Sequence, residues 1–291
     1  MPDYGRTIQF GYFLIPDATD PLVDIARAAE RLDLDYLGIQ DHPYQRRFVD
    51  TFALLAAIAA ATDRIKFFPD VACLPLRPPG VLAKTAATID LLSGGRFELG
   101  LGAGSFWDAI AGYGGPRRTP GESLEALEEA MEVIRLIWSG KRGLRFEGRH
   151  YRLGGVHGGP APAHEVEIWL GVYGRKALRL AGSKADGWVP SFRGDVMGLV
   201  AMAQRLDDAA AEAGRNPGEI QRVLNVGRAI TSGSSDGPLN GPVSQWVDEL
   251  SELALIHGFD TFILGNPDVT QMEIFAEEVA PRVRERVASA R

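Results

Sequence analysis

From residue 8 to residue 287 short apolar runs of strand character alternate with longer segments of helical periodicity, and no other feature restricts the fold as much. Residues 8–13 (IQFGYF) predict a first strand. Asp20-Pro21 then offers an N-cap followed by proline at the first helical position, and Leu22, Ile25, Ala26, Ala29 and Leu32 follow at helical spacing. A strand at 35–39, an alanine-rich helix at 50–62, a strand at 65–72 (IKFFPDVA) and a helix at 79–92 come next, the last with Val81, Leu82, Ala86 and Ile89 on one face. Residues 96–101 predict strand four. Thr119-Pro120-Gly121-Glu122 is a capping box with proline at N1, and Leu124, Leu127, Met131, Ile134 and Trp138 repeat behind it in steps of three and four. The glycine- and proline-rich segment 141–165 breaks the alternation and reads as an inserted hairpin or loop. Strands at 166–171, 185–190, 220–230 and 261–264 and helices at 174–183, 195–213, about 246–257 and 270–287 complete the series. A polar loop occupies 231–242.

Eight β–α pairs in a chain of 291 residues predict a single (β/α)8 TIM-barrel domain over 1–291, in the α/β class. A doubly wound open sheet would place a glycine fingerprint at its first strand-to-helix turn, and LIPDATD has none. In a parallel barrel the working face is the carboxyl end of the strands, so the residues that follow each strand are the candidates for chemistry.

Asp41-His42 follows strand two. A histidine there can donate a hydrogen bond or exchange a proton near neutral pH, or it can simply be satisfied by its loop. Asp70 in Phe68-Pro69-Asp70-Val71-Ala72 is a carboxylate inside an apolar strand. It requires donors or a polar ligand, unless it lies at a wet strand end. Gly100, Gly102 and Gly104 alternate at the end of strand four, followed by Ser105, Phe106 and Trp107. Glycines and aromatics in that order suit either a flat ring or a tightly packed rim. Val172-Tyr173-Gly174-Arg175-Lys176 leads from strand five into a helix, where free amides and positive charge favour phosphate; the alternative is a basic pair on a solvated helix.

Other chemistries are disfavoured. The five histidines form no HExxH and no His-x-His pair, so no metal set emerges, and there is no G-x-S-x-G elbow. No lysine stands at a strand end, which argues against a phosphate-binding isomerase or aldolase. A net charge of −7 without a basic patch speaks against nucleic acid. No apolar run reaches membrane-spanning length, and the start of the chain lacks a signal-peptide layout. The single cysteine, Cys73, reads as a small core residue, and a cytoplasmic location is expected.

The segments DLDYLGIQDH, TDRIKFFPDV, PPGVLAKTAATIDLLSGGRFELGLGAGS, ESLEALEEAMEVIRLIWSG and IWLGVYGRKALRLAGSKADGW together resemble the bacterial luciferase-like superfamily of flavin- and deazaflavin-dependent oxidoreductases, nearly end to end. That resemblance implies a barrel with a flavin-type cofactor at the carboxyl ends of its strands. It places His42 close to the ring as the catalytic group and a non-proline cis peptide at Asp70-Val71 beneath it. Gly102, Ala103 and Gly104 would border the cofactor, and Val172, Tyr173, Gly174 and Arg175 would hold its phosphate. Luciferase-type FMN enzymes often carry an arginine where this chain has Ala103, which favours the deazaflavin coenzyme F-420 over FMN. The sugar-phosphate dehydrogenase relatives carry a tryptophan shortly after the Asp-His pair, and this chain has Pro43-Tyr44-Gln45-Arg46 instead. The expected activity is hydride transfer between F-420 and a small organic substrate, with Phe106, Trp107 and Tyr113 as pocket walls. The alternatives are an FMN-dependent monooxygenase served by a separate reductase, and a flavin-binding barrel without turnover. A homodimer is expected, with the alanine-rich helix at 53–61 packing either between subunits or within one.

Overall fold

In a computed structural model that describes residues 3–291, strands and helices follow one another in the expected order. They are β1 (Gln9–Leu14), α1 (Leu22–Arg31), β2 (Tyr36–Ile39), α2 (Thr51–Ala61), β3 (Lys66–Pro69), β4 (Ala72–Cys73), α3 (Pro79–Ser93), β5 (Leu99–Gly102), α4 (Trp107–Gly112) and α5 (Pro120–Trp138). The hairpin β6 (Leu144–Glu147) and β7 (Arg152–Val156) follows, then β8 (Ile168–Leu170), α6 (Arg175–Lys184), β9 (Gly187–Trp188), α7 (Val196–Glu212), β10 (Gln221–Val226), α8 (Val243–His257), β11 (Thr261–Leu264), α9 (Val269–Ile274) and α10 (Ala280–Ala290).

The chain divides into two compact units. One comprises the chain up to Ile15, Asp24–Gly38 and Val172–Arg291; the other comprises Pro16–Val23 and Ile39–Gly171. In the first unit β2, β1, β11, β10 and β9 are neighbours in that order. β1 and β10 pair in parallel with the two sides of β11, through Phe10 opposite Phe262 and Leu224 opposite Phe262. These strands are buried almost throughout, as a parallel sheet covered by helices requires. Asp195 caps α7 by accepting from the Gly198 amide, and Gly258, in the left-handed region at φ 70°, ends α8 as expected.

In the second unit β4, β5 and β8 run parallel, and β3 bridges to the chain just before β5 through Phe67 and Phe97. The capping box at Thr119 and Glu122 is formed, and α5 buries Leu127, Met131, Ile134 and Trp138. The Trp138 indole donates to the Ala83 carbonyl at 2.8 Å, which fixes α5 against α3. On α3 the buried face is Leu82, Ala86 and Ile89. Val81, expected on that face, is 66% exposed, because the first turn carries it to the outside. The predicted strand 65–72 is interrupted: β3 ends at Pro69, β4 starts at Ala72, and the Asp70–Val71 bond between them is cis.

The segment 141–165 is a two-stranded antiparallel hairpin, β6 with β7. Its turn is held by α5: Glu129 accepts from the backbone amides of Arg149, His150 and Tyr151 at 2.7–3.0 Å, and Glu125 meets the Arg149 side chain at 2.9 Å and the His150 ring at 3.3 Å. Beyond the hairpin, His164 is clamped between two buried carboxylates, 2.9 Å from Asp90 and 3.2 Å from Glu98. No helix among the described residues is long and apolar enough to cross a membrane.

Candidate active site

The site in the second unit is built by the segment that starts at Ile39 and by the ends of β3 and β4. The Asp70 amide donates to the Ile39 carbonyl at 2.7 Å, and the Cys73 amide donates to the Asp41 carboxylate at 2.9 Å. The residues on either side of the Asp70–Val71 bond are therefore stitched to the segment that carries His42. Asp41 is 1% exposed, and a buried carboxylate needs a cation and donors. Arg77 supplies them with a two-pronged grip, Nε at 2.8 Å from Oδ2 and Nη2 at 2.6 Å from Oδ1. The same Nη2 reaches Asp50, whose other oxygen caps α2 through the Phe52 and Ala53 amides, and the guanidinium lies 4.4 Å from the Phe52 ring centroid. Burial works against the charge on Arg77, yet the hydrogen bonds it donates to Asp41 hold it firmly protonated.

His42 is half-buried in an aromatic enclosure. Tyr44 stacks on it at 5.4 Å and 19° between planes, and Phe106 meets it edge-on at 5.4 Å. Burial lowers the imidazole pKa below its usual value, and the negative Asp41 only partly offsets this, so the ring is neutral at pH 7. Burial also pushes the Tyr44 hydroxyl up. Cys73, 6% exposed, has its thiol pushed up to about 12 by burial and then by Asp41, which makes it an inert core residue.

The glycine run has a packing explanation. A Cβ on Gly102 would lie 2.8 Å from Val71 Cγ2, one on Gly171 2.7 Å from the same atom, and one on Gly100 2.1 Å from the Pro69 carbonyl oxygen. The half-buried Val71 side chain thus occupies the room that Gly102 and Gly171 leave, while Gly100 lies against the Pro69 carbonyl. Gly104 has φ +91°, and a Cβ there would meet Pro75 at 2.7 Å. Ala103 between them is half-buried.

Of the expected pocket residues, Phe106 is brought to His42 and Tyr44. Trp107 opens α4, a helix the sequence reading leaves out, and its ring borders Gly104. Tyr113 lies at the end of α4, 63% exposed, and joins no aromatic pair among the described residues. Arg77, Tyr44 and Gln40 are functional candidates that the sequence reading does not single out. A buried Asp41 signals that some cation must exist, but not which one.

In the first unit Val172 is buried and its carbonyl accepts from the Trp188 indole at 2.9 Å. Gly174 is the N-cap of α6 and offers no side-chain cap, so the amides at the start of α6 point outward unpaired by a capping group, with the exposed Arg175 beside them. Tyr173 accepts from the Ser191 amide through its hydroxyl at 3.0 Å, and Arg193 stacks 4.3 Å from its ring centroid. Free helix-start amides with arginine nearby form a donor set suited to a phosphoryl group. Neutral His42, apolar Val71 and the small residues at 102–104 suit the face of a flat ring.

The profile of the family described as luciferase-like monooxygenase matches residues 7–236. An F420-dependent glucose-6-phosphate dehydrogenase of Nocardia farcinica is 33% identical over 213 residues, 70% of this chain and 63% of that protein, so the match spans less than two thirds of the relative's length. The coenzyme F420 dependent tetrahydromethanopterin reductase of Methanopyrus kandleri superimposes with a TM-score of 0.82 at 21% identity, covering 96% of this chain and all of that one. The oxygenating constituent of 3,6-diketocamphane monooxygenase from Pseudomonas putida, solved with FMN, gives 0.78 at 18% identity, covering 96% and 99%. These likenesses show the fold to be the α/β barrel with a small antiparallel hairpin insert.

Proposed function

The chain belongs to the luciferase-like monooxygenase family and is a flavin- or deazaflavin-dependent oxidoreductase; from that premise we propose that it transfers a hydride between coenzyme F-420 and a small organic substrate. The observation that carries this reading is His42, neutral, next to the buried Asp41 and walled by Tyr44 and Phe106. F420-dependent relatives such as the Nocardia farcinica enzyme support the coenzyme, and so does Ala103 in place of an arginine.

When bound, the coenzyme supplies the hydride chemistry, and the protein supplies orientation and proton control. Asp70, Val71, Gly102, Ala103 and Gly104 are the proposed ring-binding residues, with Val71 as the apolar contact. In the other unit Val172, Tyr173, Gly174 and Arg175 are proposed to hold a phosphoryl group through the α6 amides. His42 presents a hydrogen bond to the reacting centre while Arg77 keeps Asp41 and the following backbone in place. Phe106 and Trp107 exclude water from the substrate side, and Tyr113 is proposed as an outer wall.

Titrating the protein with F-420 and with FMN while following ring fluorescence tests the reading. Binding of F-420, with turnover lowered at least a hundredfold by His42→Ala, is expected. Tight FMN binding without F-420 binding, together with oxygen uptake that depends on reduced FMN, would replace it by the monooxygenase reading, with a reductase as partner. We also propose a cytoplasmic homodimer in which the outward Ala53, Ala57 and Ala60 of α2 meet a second copy; light scattering at a monomer mass refutes that part.

A further inference from the structure

Gln40 directly follows β2, and its carbonyl accepts from the Thr51 hydroxyl at 2.7 Å, which fixes the backbone from which its side chain projects. The side-chain amide nitrogen lies 3.2 Å from Nδ1 of His42. In this orientation the carboxamide turns its nitrogen to the ring; that nitrogen carries two hydrogens and no lone pair free to accept, so the ring nitrogen opposite is the acceptor. In a neutral imidazole only one nitrogen carries the proton. With Nδ1 engaged as acceptor, the proton resides on Nε2.

The surroundings leave this contact as the one that selects the tautomer. Tyr44 and Phe106 approach the ring through their own rings, and they set its hydration rather than which nitrogen is protonated. The charged groups nearby are Asp41, Arg77 and Asp50. The Asp41 oxygens are taken by the Cys73 amide and the Arg77 guanidinium, and Arg77 is shared with Asp50. The remaining titratable neighbour, the Cys73 thiol, is buried and protonated.

We propose that Gln40 is a positioning residue that holds His42 as the Nε2–H tautomer, so that His42 meets the reacting centre as a hydrogen-bond donor and not as a base. The consequence for substrate rests on the function proposed above. A donor at that position selects a substrate or ring atom that accepts, such as a carbonyl oxygen, an alkoxide-forming oxygen or an imine-type nitrogen. The tautomer itself does not depend on that function.

The experiment uses the full chain labelled with 15N-histidine, without cofactor or substrate. Two-bond 15N–1H correlation spectra at pH 8 report which ring nitrogen is protonated, and the His42 signals are assigned by their loss in His42→Ala. The expected wild-type pattern is a protonated Nε2 with a bare Nδ1. Gln40→Glu replaces the donor by an acceptor of the same reach. It is expected to reverse the pattern to Nδ1–H and to raise the His42 titration midpoint by at least one pH unit, a tenfold shift in proton affinity. Gln40→Met keeps the length without a polar group and is expected to give both tautomers; it stands in should Gln40→Glu fail to fold. Nδ1–H in the wild type, or a pattern unchanged in Gln40→Glu and Gln40→Met, overturns the proposal. Failure of F-420 binding would remove the hydride-transfer reading and leave these spectra unaffected.

Discussion

Substituting Gly102 by alanine asks directly whether Val71 is what the glycines accommodate. The new Cβ would sit 2.8 Å from Val71 Cγ2, and its next neighbour, the Ala72 carbonyl oxygen, is at an ordinary 3.6 Å. Carbon–carbon contacts are favourable at about 3.5–4.0 Å, so Val71 would have to move by roughly 1 Å. Overpacking of this kind costs about 1–3 kcal/mol. Val71→Ala alone removes two methyl groups worth about 0.8 kcal/mol each when fully buried. Val71 is half-buried, so its loss is on the order of 1 kcal/mol. Independent effects would sum to about 2–4 kcal/mol in the double variant. If Val71 is the obstacle, the double variant instead costs about as much as Val71→Ala alone, a coupling of about 1–3 kcal/mol. Gly100 is the internal control: its Cβ would strike the Pro69 carbonyl oxygen at 2.1 Å, a backbone atom that Val71→Ala does not remove. Thermal melts of the four proteins in the cycle and of the two Gly100→Ala proteins decide it, at roughly 2–4 °C per kcal/mol for a chain of this class. Additive costs at Gly102, or equal rescue of Gly100→Ala, would refute the packing argument.

Three further outcomes follow from the geometry. Arg77→Met leaves Asp41 buried without its cation and is expected to destabilise the chain by about 3–5 kcal/mol in guanidinium titrations. His164 has its pKa raised to about 9, first by the Glu98 hydrogen bond and further by Asp90, against the opposing effect of burial. Because the folded value lies above the unfolded one, the stabilisation is complete below about pH 6.5 and is lost as pH rises through about 9; melting temperatures should fall over that window and the fall should vanish in His164→Gln. Phe106→Ala opens one wall around His42, so the His42 titration midpoint, lowered mainly by burial, is expected to rise towards 6.5 in NMR titrations.

How much of this was legible in the sequence depended on how local each determinant is. The capping box at Thr119–Glu122, the Asp195 cap and the Gly258 stop are settled by residues within one turn, and each forms as expected. The break between β3 and β4 is not: Phe68-Pro69-Asp70-Val71-Ala72 has the hydropathy of one strand, and the interruption is imposed by bonds to Ile39 and Asp41 some thirty residues earlier. α4 escaped notice because six residues ending in glycine carry too little periodicity. His42 could be singled out from its place after a strand, but Arg77, 35 residues on, becomes part of the site only once the chain has folded. Gly100 and Gly102 suggest a ligand-facing run, whereas the nearest claim on their space comes from the protein itself, the Pro69 carbonyl at Gly100 and Val71 at Gly102.

The hairpin turn at Arg149–Tyr151 is recognised by Glu129 through its backbone amides, and by Glu125 and Arg118 through the side chains of Arg149, His150 and Tyr151. The Glu129 part of this attachment is blind to side-chain identity, provided the residue at 148 remains a glycine, since a Cβ there would collide with the Glu129 carboxylate. The strands of the hairpin carry mostly exposed side chains. The outward positions of the hairpin can therefore diversify while its turn stays docked on two acidic residues of α5, Glu129 and Glu125. Libraries that randomise the exposed strand positions and spare Leu144, Gly148–Tyr151, Glu125 and Glu129 would vary the periphery of the molecule without unfastening it.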